Sequence, residues 1–384
     1  MPAPTGALRS GATGSGAAGA ERSRAAGPVL PDFPWDRLEP AKAVARSHPG
    51  GIVDLSIGTP VDPVPPVVRA ALAAGSDTPG YPPTAGSPAL RAALTSWVSS
   101  ACGAADGFEV LPTIGSKELI GWLPTLLGLG PGDLVVIPSL CYPTYEVGAL
   151  LAGATVVRAD SPVDLGSTAG PVRLVWVNSP SNPTGQVTSA ADLRTMIDWA
   201  RARGAVLASD ECYLTLPFES TPTSALAACG DTCASVLAVH SLSKRSNMAG
   251  YRAGFVAGDP ALIASLLEVR KHAGMIVPAP VQAAMIAALG DDAHVVEQQT
   301  RYRRRRAVLR DALEHAGLRI SHSGAGLYLW ATRGESCWDT VDWLAQKGIL
   351  VAPGAFYGPT GEHHVRVALT ATDAHIEAAA ARLH

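Results

Sequence analysis

The sequence is short of aromatic residues, 5% of 384 positions, and short of charge, at 16%. The two signs nearly cancel, 30 Lys and Arg against 33 Asp and Glu, for a net charge of -3. No basic field is left to hold a nucleic-acid backbone. Cysteine is scarce as well: Cys102, Cys141, Cys212, Cys229, Cys233 and Cys337 include no CxxC pair. Without His or Cys partners at ligand spacing they read as reduced thiols, which points to a cytoplasmic protein and away from a zinc centre. Long apolar runs are missing too. The longest uncharged stretch, 273–290, contains Pro278, Pro280 and Gln282 and reads as a loop entering a buried helix. A membrane span would need about 20 mainly apolar residues. Nor does an apolar signal core follow the start, where Arg9, Glu21, Arg22 and Arg24 sit among small residues.

What is present is a globular pattern with 47% hydrophobic residues, placed in short runs. Residues 1–29 are low in complexity and lack periodicity, which predicts a disordered tail. Beyond them strand-like and helix-like segments alternate. Strands are expected at 52–57, 133–137, 155–158, 172–177, 205–208, 236–240 and 254–256. Helices are expected at 66–74, 87–99, 117–127, 144–152 and 190–203, with a loop at 112–116. Apolar strands of this length between helices predict an α/β fold with a mostly parallel central sheet, covered on both faces. The pattern then changes to an Arg-rich helix at 298–316, a strand at 327–331, a helix at 338–347 and a strand at 365–369. This predicts a smaller α/β unit over 290–384, joined by part of an N-terminal arm at 30–57, beside a large domain over 58–289.

Three motifs carry chemistry. Ser241-Leu242-Ser243-Lys244, followed by Gly250-Tyr251-Arg252-Ala253-Gly254, places a lysine at the carboxyl end of a strand, where ligands bind in α/β sheets. Hydroxyls and a guanidinium beside it suit an imine-forming lysine next to a phosphate monoester. Upstream, Asn178-Ser179-Pro180-Ser181-Asn182-Pro183-Thr184-Gly185 is a turn that presents the Asn182 amide, and on its own is ordinary turn chemistry. Ser209-Asp210-Glu211-Cys212-Tyr213 follows an apolar run; its acid could cap a helix or hold a pyridine nitrogen protonated.

Together, in this order and spacing, the motifs resemble fold-type I pyridoxal-phosphate aminotransferases of class I/II, from about residue 33 to the C-terminus. The resemblance implies pyridoxal 5'-phosphate as cofactor, linked to Lys244, which also moves the substrate proton. It implies Asp210 against the pyridine nitrogen, and Asn182 and Tyr213 on the cofactor's phenolic oxygen. Gly115, Ser116 and Lys117 match the phosphate loop, completed by Ser241 and Arg252, and Tyr142 the ring that stacks on the pyridine. Tyr81 resembles the tyrosine that reaches the phosphate of a neighbouring subunit, which implies a homodimer with shared active sites. Arg366 matches the arginine that binds the substrate α-carboxylate, and Gly58 a residue lying over the substrate.

Within the family the likeness is greatest to actinobacterial succinyldiaminopimelate transaminases, through VDLSIGTPVDP from Val53, KELI from Lys117, VRKHAGM from Val269, GLYLW from Gly326 and LVAPG from Leu350. The implied reaction takes N-succinyl-LL-2,6-diaminopimelate and 2-oxoglutarate to N-succinyl-2-amino-6-oxopimelate and glutamate, in lysine and diaminopimelate biosynthesis. Its distal carboxylates call for cations, for which Lys271, His272, Arg245 and Lys117 are the candidates in that order. The alternatives are an aminotransferase for another amino acid, or a C–S lyase on the same fold. A cofactor-binding regulator would need a DNA-binding helix pair ahead of the domain, for which residues 1–29 are too short and too polar.

Overall fold

The computed structural model describes residues 30–165 and 170–384; the tail expected at 1–29 lies outside the described residues. Seven apolar strands form the central sheet: β1 (Glu109–Ile114), β2 (Leu134–Ile137), β3 (Thr155–Arg158), β4 (Val172–Asn178), β5 (Val206–Asp210), β6 (Val236–Ser241) and β7 (Ala253–Gly258). Their order is β1-β7-β6-β5-β4-β2-β3. Pairing is parallel from β6 through to β3, and β7 runs antiparallel to both its neighbours.

Side chains alternate between two buried layers. Leu174 and Trp176 of β4 face a core with Leu119, Ile120 and Tyr145, while Val175 and Val177 face one with Leu94, Trp97 and Leu193. Both faces are therefore apolar, which is why these strands read as continuous hydrophobic runs. The helices covering them include α1 (Pro88–Cys102), α2 (Ser116–Leu126), α3 (Thr144–Ala152), α4 (Ala190–Arg201), α5 (Pro260–Ala273) and α6 (Ala279–Leu289). Caps place their starts: Ser87 Oγ accepts from the Leu90 N–H at 3.2 Å, and the Ser189 Oγ from Asp192 N–H at 3.1 Å.

A third core collects Leu38, Val53 and Leu55 from the N-terminal segment with Tyr302, Leu309, Leu329, Val341 and Ile376 from the C-terminal part. Its sheet has strands β8 (Arg319–His322), β9 (Tyr328–Thr332), β10 (Ala352–Pro353) and β11 (Val365–Ala368), in the order β10-β11-β9-β8 and antiparallel throughout. Helices α7 (Ala293–His315), α8 (Cys337–Gln346) and α9 (Asp373–Leu383) complete it.

Two expectations change. The loop at 112–116 is largely strand, because Pro112 sits in β1 at the sheet edge, where proline's missing N–H costs no ladder bond. The strand at 52–57 shortens to Val53–Asp54, paired parallel with Ile349–Leu350. Beyond it, Leu55 O accepts from Ala368 N–H at 2.9 Å, and Ser56 O from Arg366 Nη2 at 2.6 Å. No helix among the described residues is long and apolar enough to cross a membrane.

Candidate active site

The carboxyl ends of β4, β5 and β6 deliver Asn178, Asp210 and Ser241 to one edge of the sheet, the position at which open α/β sheets bind ligands. Asp210 is buried there. Its Oδ2 accepts from the Tyr145 hydroxyl at 2.7 Å and its Oδ1 from Cys212 N–H at 3.1 Å. Burial pushes its pKa up, and those two donors offset only part of the shift. A carboxylate left in that condition is completed by a further cationic N–H donor. Asn178 ties the neighbouring turn to it, donating to Asp210 O at 2.9 Å and accepting from Asn182 N–H at 2.7 Å.

Asn182 in turn accepts through Oδ1 from Arg366 Nη1 at 2.8 Å. The Arg366 guanidinium is 3% exposed, lies 4.1 Å from the Tyr328 ring centre and 4.9 Å from that of Tyr357, and its Nε has no partner. Such a buried fork, with no carboxylate partner among the described residues, is suited to an anionic ligand.

Lys244 follows β6 in a single helical turn opened by Ser241, whose Oγ accepts from Ser243 N–H at 3.1 Å. Its Nζ donates to Gly58 O at 2.6 Å. Burial first, together with the Arg366 and Arg252 charges, lowers the Lys244 pKa to about 8. On the opposite side, the Tyr213 and Tyr328 hydroxyls stand 3.0 Å apart.

An anion cradle completes the site. Helix α2 starts at Ser116 after Gly115, whose φ of +76° favours glycine, with Arg252 alongside. A Cβ at Gly254 would stand 2.8 Å from Ser116 N, so the glycine keeps the backbone N–H groups accessible. Lys117 is exposed nearby; desolvation and then the Arg252 charge lower its pKa.

The arrangement can hold a planar phosphorylated cation: Asp210 for a ring N–H, the helix start and Arg252 for a phosphate, Lys244 for an aldehyde carbon. Residues 51–383 match the aminotransferase class I and II family. The chain belongs to that family. Its cofactor is pyridoxal phosphate, and the buried, partly compensated Asp210 and the glycine-lined helix start fit that group.

As an aminotransferase the chain has close relatives. A 4-dedimethylamino-4-oxo-anhydrotetracycline transaminase of Streptomyces rimosus is 60% identical over 357 residues, 92% of this chain and 99% of that protein. A probable aminotransferase of Mycobacterium tuberculosis is 57% identical, covering 97% of this chain and 92% of that one. Among solved structures, a probable N-succinyldiaminopimelate aminotransferase from Thermus thermophilus superposes with a TM-score of 0.81 at 29% identity, over 91% of this chain and 99% of that one.

Not every expected residue gathers here. Tyr81 is 97% exposed, and Lys271 is paired on the surface with Glu268 at 2.6 Å. Arg245 was among the candidates for a distal carboxylate. It is instead buried, turned toward α6, and bonded to Asp292 and to Ala288 O, each at 2.6 Å. Its charge is spent on closing the end of that helix. Tyr145 and Tyr357 join the site without a motif to announce them, and Ser56 and Tyr328 from segments, VDLSIGTPVDP and GLYLW, in which neither was given a role. Behind the sheet, Cys102, Glu211 and His240 bring ligand atoms within 4.8 Å of one another from three distant segments. Burial drives Glu211 up to about 7 and His240 down to about 3, toward their neutral forms.

Proposed function

We propose that this aminotransferase transfers the amino group of N-succinyl-LL-2,6-diaminopimelate to 2-oxoglutarate. The Arg366 fork, buried and without a carboxylate partner, is the observation that carries an α-carboxylate substrate. Bound at the strand ends, pyridoxal phosphate supplies an aldehyde that takes up the amino group and a ring that accepts the electron pair left by a departing proton.

The chain's own residues do the rest. Arg366 orients the substrate by its carboxylate, and Asn182 holds the guanidinium in place. Lys244 Nζ removes the proton from the substrate Cα and returns it to the cofactor carbon, for which it must be neutral. Asp210 keeps the ring nitrogen protonated, with Tyr145 and the Cys212 N–H fixing its carboxylate. Asn182 and Tyr213 donate to the phenolic oxygen, while Tyr142 packs on the ring face. The backbone N–H groups of Gly115, Ser116 and Lys117 at the helix start, with Ser241 and Arg252, hold the phosphate. Residues 58–289 form the cofactor-binding domain, and 30–57 with 290–384 the smaller one. The exposed Tyr81 serves the partner's site in a homodimer.

Support for the substrate comes from the Thermus likeness and from Lys117. Among the described residues Lys117 pairs with no carboxylate, unlike Lys271 and Arg245, and its Nζ lies 5.9 Å from the ring centres of Phe33 and Tyr142. Its ammonium is free to read a distal carboxylate. Lys117→Ala is expected to raise KM for the succinylated substrate about tenfold, the scale of one charge-assisted hydrogen bond, and to change KM for glutamate much less. An equal effect on both would remove the assignment. The tetracycline-type relative favours a second reading, a bulky oxo acceptor. Turnover of an oxo-anhydrotetracycline faster than of the succinylated substrate would select it.

A further inference from the structure

We propose that Tyr328 is a positioning residue that directs the Tyr213 hydroxyl and couples it to the carboxylate-binding arginine. The proposal rests on the site reading above, in which Tyr213 donates to the cofactor's phenolic oxygen and Arg366 binds the substrate.

Tyr328 opens β9, opposite Ala368 of β11, and is 2% exposed. Three contacts converge on it. Its ring lies 4.1 Å from the Arg366 guanidinium. Its hydroxyl is 3.0 Å from that of Tyr213. A Cβ on Gly58 would fall 2.1 Å from the same oxygen, so the hydroxyl's place depends on that glycine. Gly58 O is also the acceptor of Lys244 Nζ, at 2.6 Å. A single phenol therefore touches the carboxylate arginine, the cofactor-oxygen donor and the segment against which the lysine rests.

Each phenol has one proton to give. When Tyr213 gives its proton to the cofactor oxygen, the contact between the tyrosines is filled by Tyr328 O–H donating to Tyr213 Oη. Donors in series polarise one another, so Tyr213 becomes the stronger donor. Burial first, then the Tyr328 neighbour, holds the Tyr213 pKa well above the usual phenol range, which keeps it a donor. A phenolic oxygen already bonded by a strong donor holds less tightly the proton it shares with the nitrogen of the Lys244 link. Removing the Tyr328 hydroxyl then raises the pKa of that nitrogen. Other charged or titratable groups near the pair include Cys212, Arg366 and Tyr357, Tyr302 of α7, and Lys244 beyond Gly58.

The test is a spectrophotometric titration of the bound cofactor in the holoenzyme, Tyr328→Phe, Tyr213→Phe and the double variant. Tyr328→Phe keeps the ring under Arg366. It is expected to raise the cofactor pKa by about 0.5 to 1 unit, the scale of one net hydrogen bond. The shift is expected to vanish in the Tyr213→Phe background, because the effect passes through Tyr213. An unmoved pKa in Tyr328→Phe overturns the proposal alone, as does the same shift with and without the Tyr213 hydroxyl. A wild-type protein without a titrating cofactor band overturns the site reading and this inference with it.

Discussion

In the proposed reaction Lys244 carries two demands that conflict in water: it would sit near phosphate-binding cations and yet be neutral. Burial settles the conflict, bringing its pKa to about 8 with help from Arg366 and Arg252. The sign is direct. Below that value the amine is protonated and cannot attack an aldehyde; above it the amine is free. Capture of pyridoxal phosphate by the apoprotein should therefore accelerate as pH rises and level off above about 8. A midpoint near the free lysine value of about 10.4 would contradict the burial argument. At this scale the sequence was legible where residues form a motif: Lys244, Asp210, Asn182 and Arg252 stand in short segments with turn and strand context. Tyr145 and Tyr328 were not legible, since an aromatic on a helix or strand looks like any core residue. Only the fold shows that one bonds Asp210 and the other Tyr213.

Among the elements, the start of α2 illustrates how a glycine strand end serves a helix. β7 brings Gly254 against Ser116 N so closely that a Cβ would stand 2.8 Å away. Gly254→Ala is expected to weaken cofactor binding about tenfold or more, the scale of one hydrogen bond to a charged group, measured by equilibrium dialysis. Unchanged affinity with an intact circular dichroism spectrum would show that the phosphate does not rest there. Element existence was readable from apolar runs, but two assignments failed for physical reasons. Pro112 argued for a loop, yet an edge strand tolerates it. The run at 52–57 argued for a full strand, yet beyond Asp54 its carbonyls go to Ala368 N–H, Arg366 and the Thr370 hydroxyl, through Leu55, Ser56 and Ile57.

The whole molecule must hold an N-terminal segment against a C-terminal core while both border one site. Arg305 of α7 is 2% exposed and bonds Asp62 through both Nη atoms, at 2.8 and 2.6 Å, and Asp373 at 2.7 Å. Three stretches far apart in sequence meet in this network, and nothing local in any of them signals it. Arg305→Leu leaves the nearly buried Asp62 with Gln298 Nε2 at 2.7 Å and Arg301 at 3.9 Å as its remaining partners, and is expected to cost roughly 1.5 to 3 kcal/mol of stability, read from the denaturant midpoint. A change under about 1 kcal/mol, the range of exposed pairs, would mean the network is ornamental. The change of pattern near residue 290 falls where α7 starts at Ala293, ahead of the separate four-stranded sheet of β8 to β11.

The central claim, that Lys244 and Asp210 run amino-group transfer on bound pyridoxal phosphate, is tested most directly by the visible absorption of the purified holoenzyme. Adding glutamate without an oxo acid should convert the aldehyde form of the cofactor to the amine form with release of 2-oxoglutarate, and adding 2-oxoglutarate should restore it. Lys244→Ala should abolish the conversion. A spectrum that glutamate leaves unchanged at saturating cofactor, or a Lys244→Ala protein that converts as fast as the wild type, would contradict it.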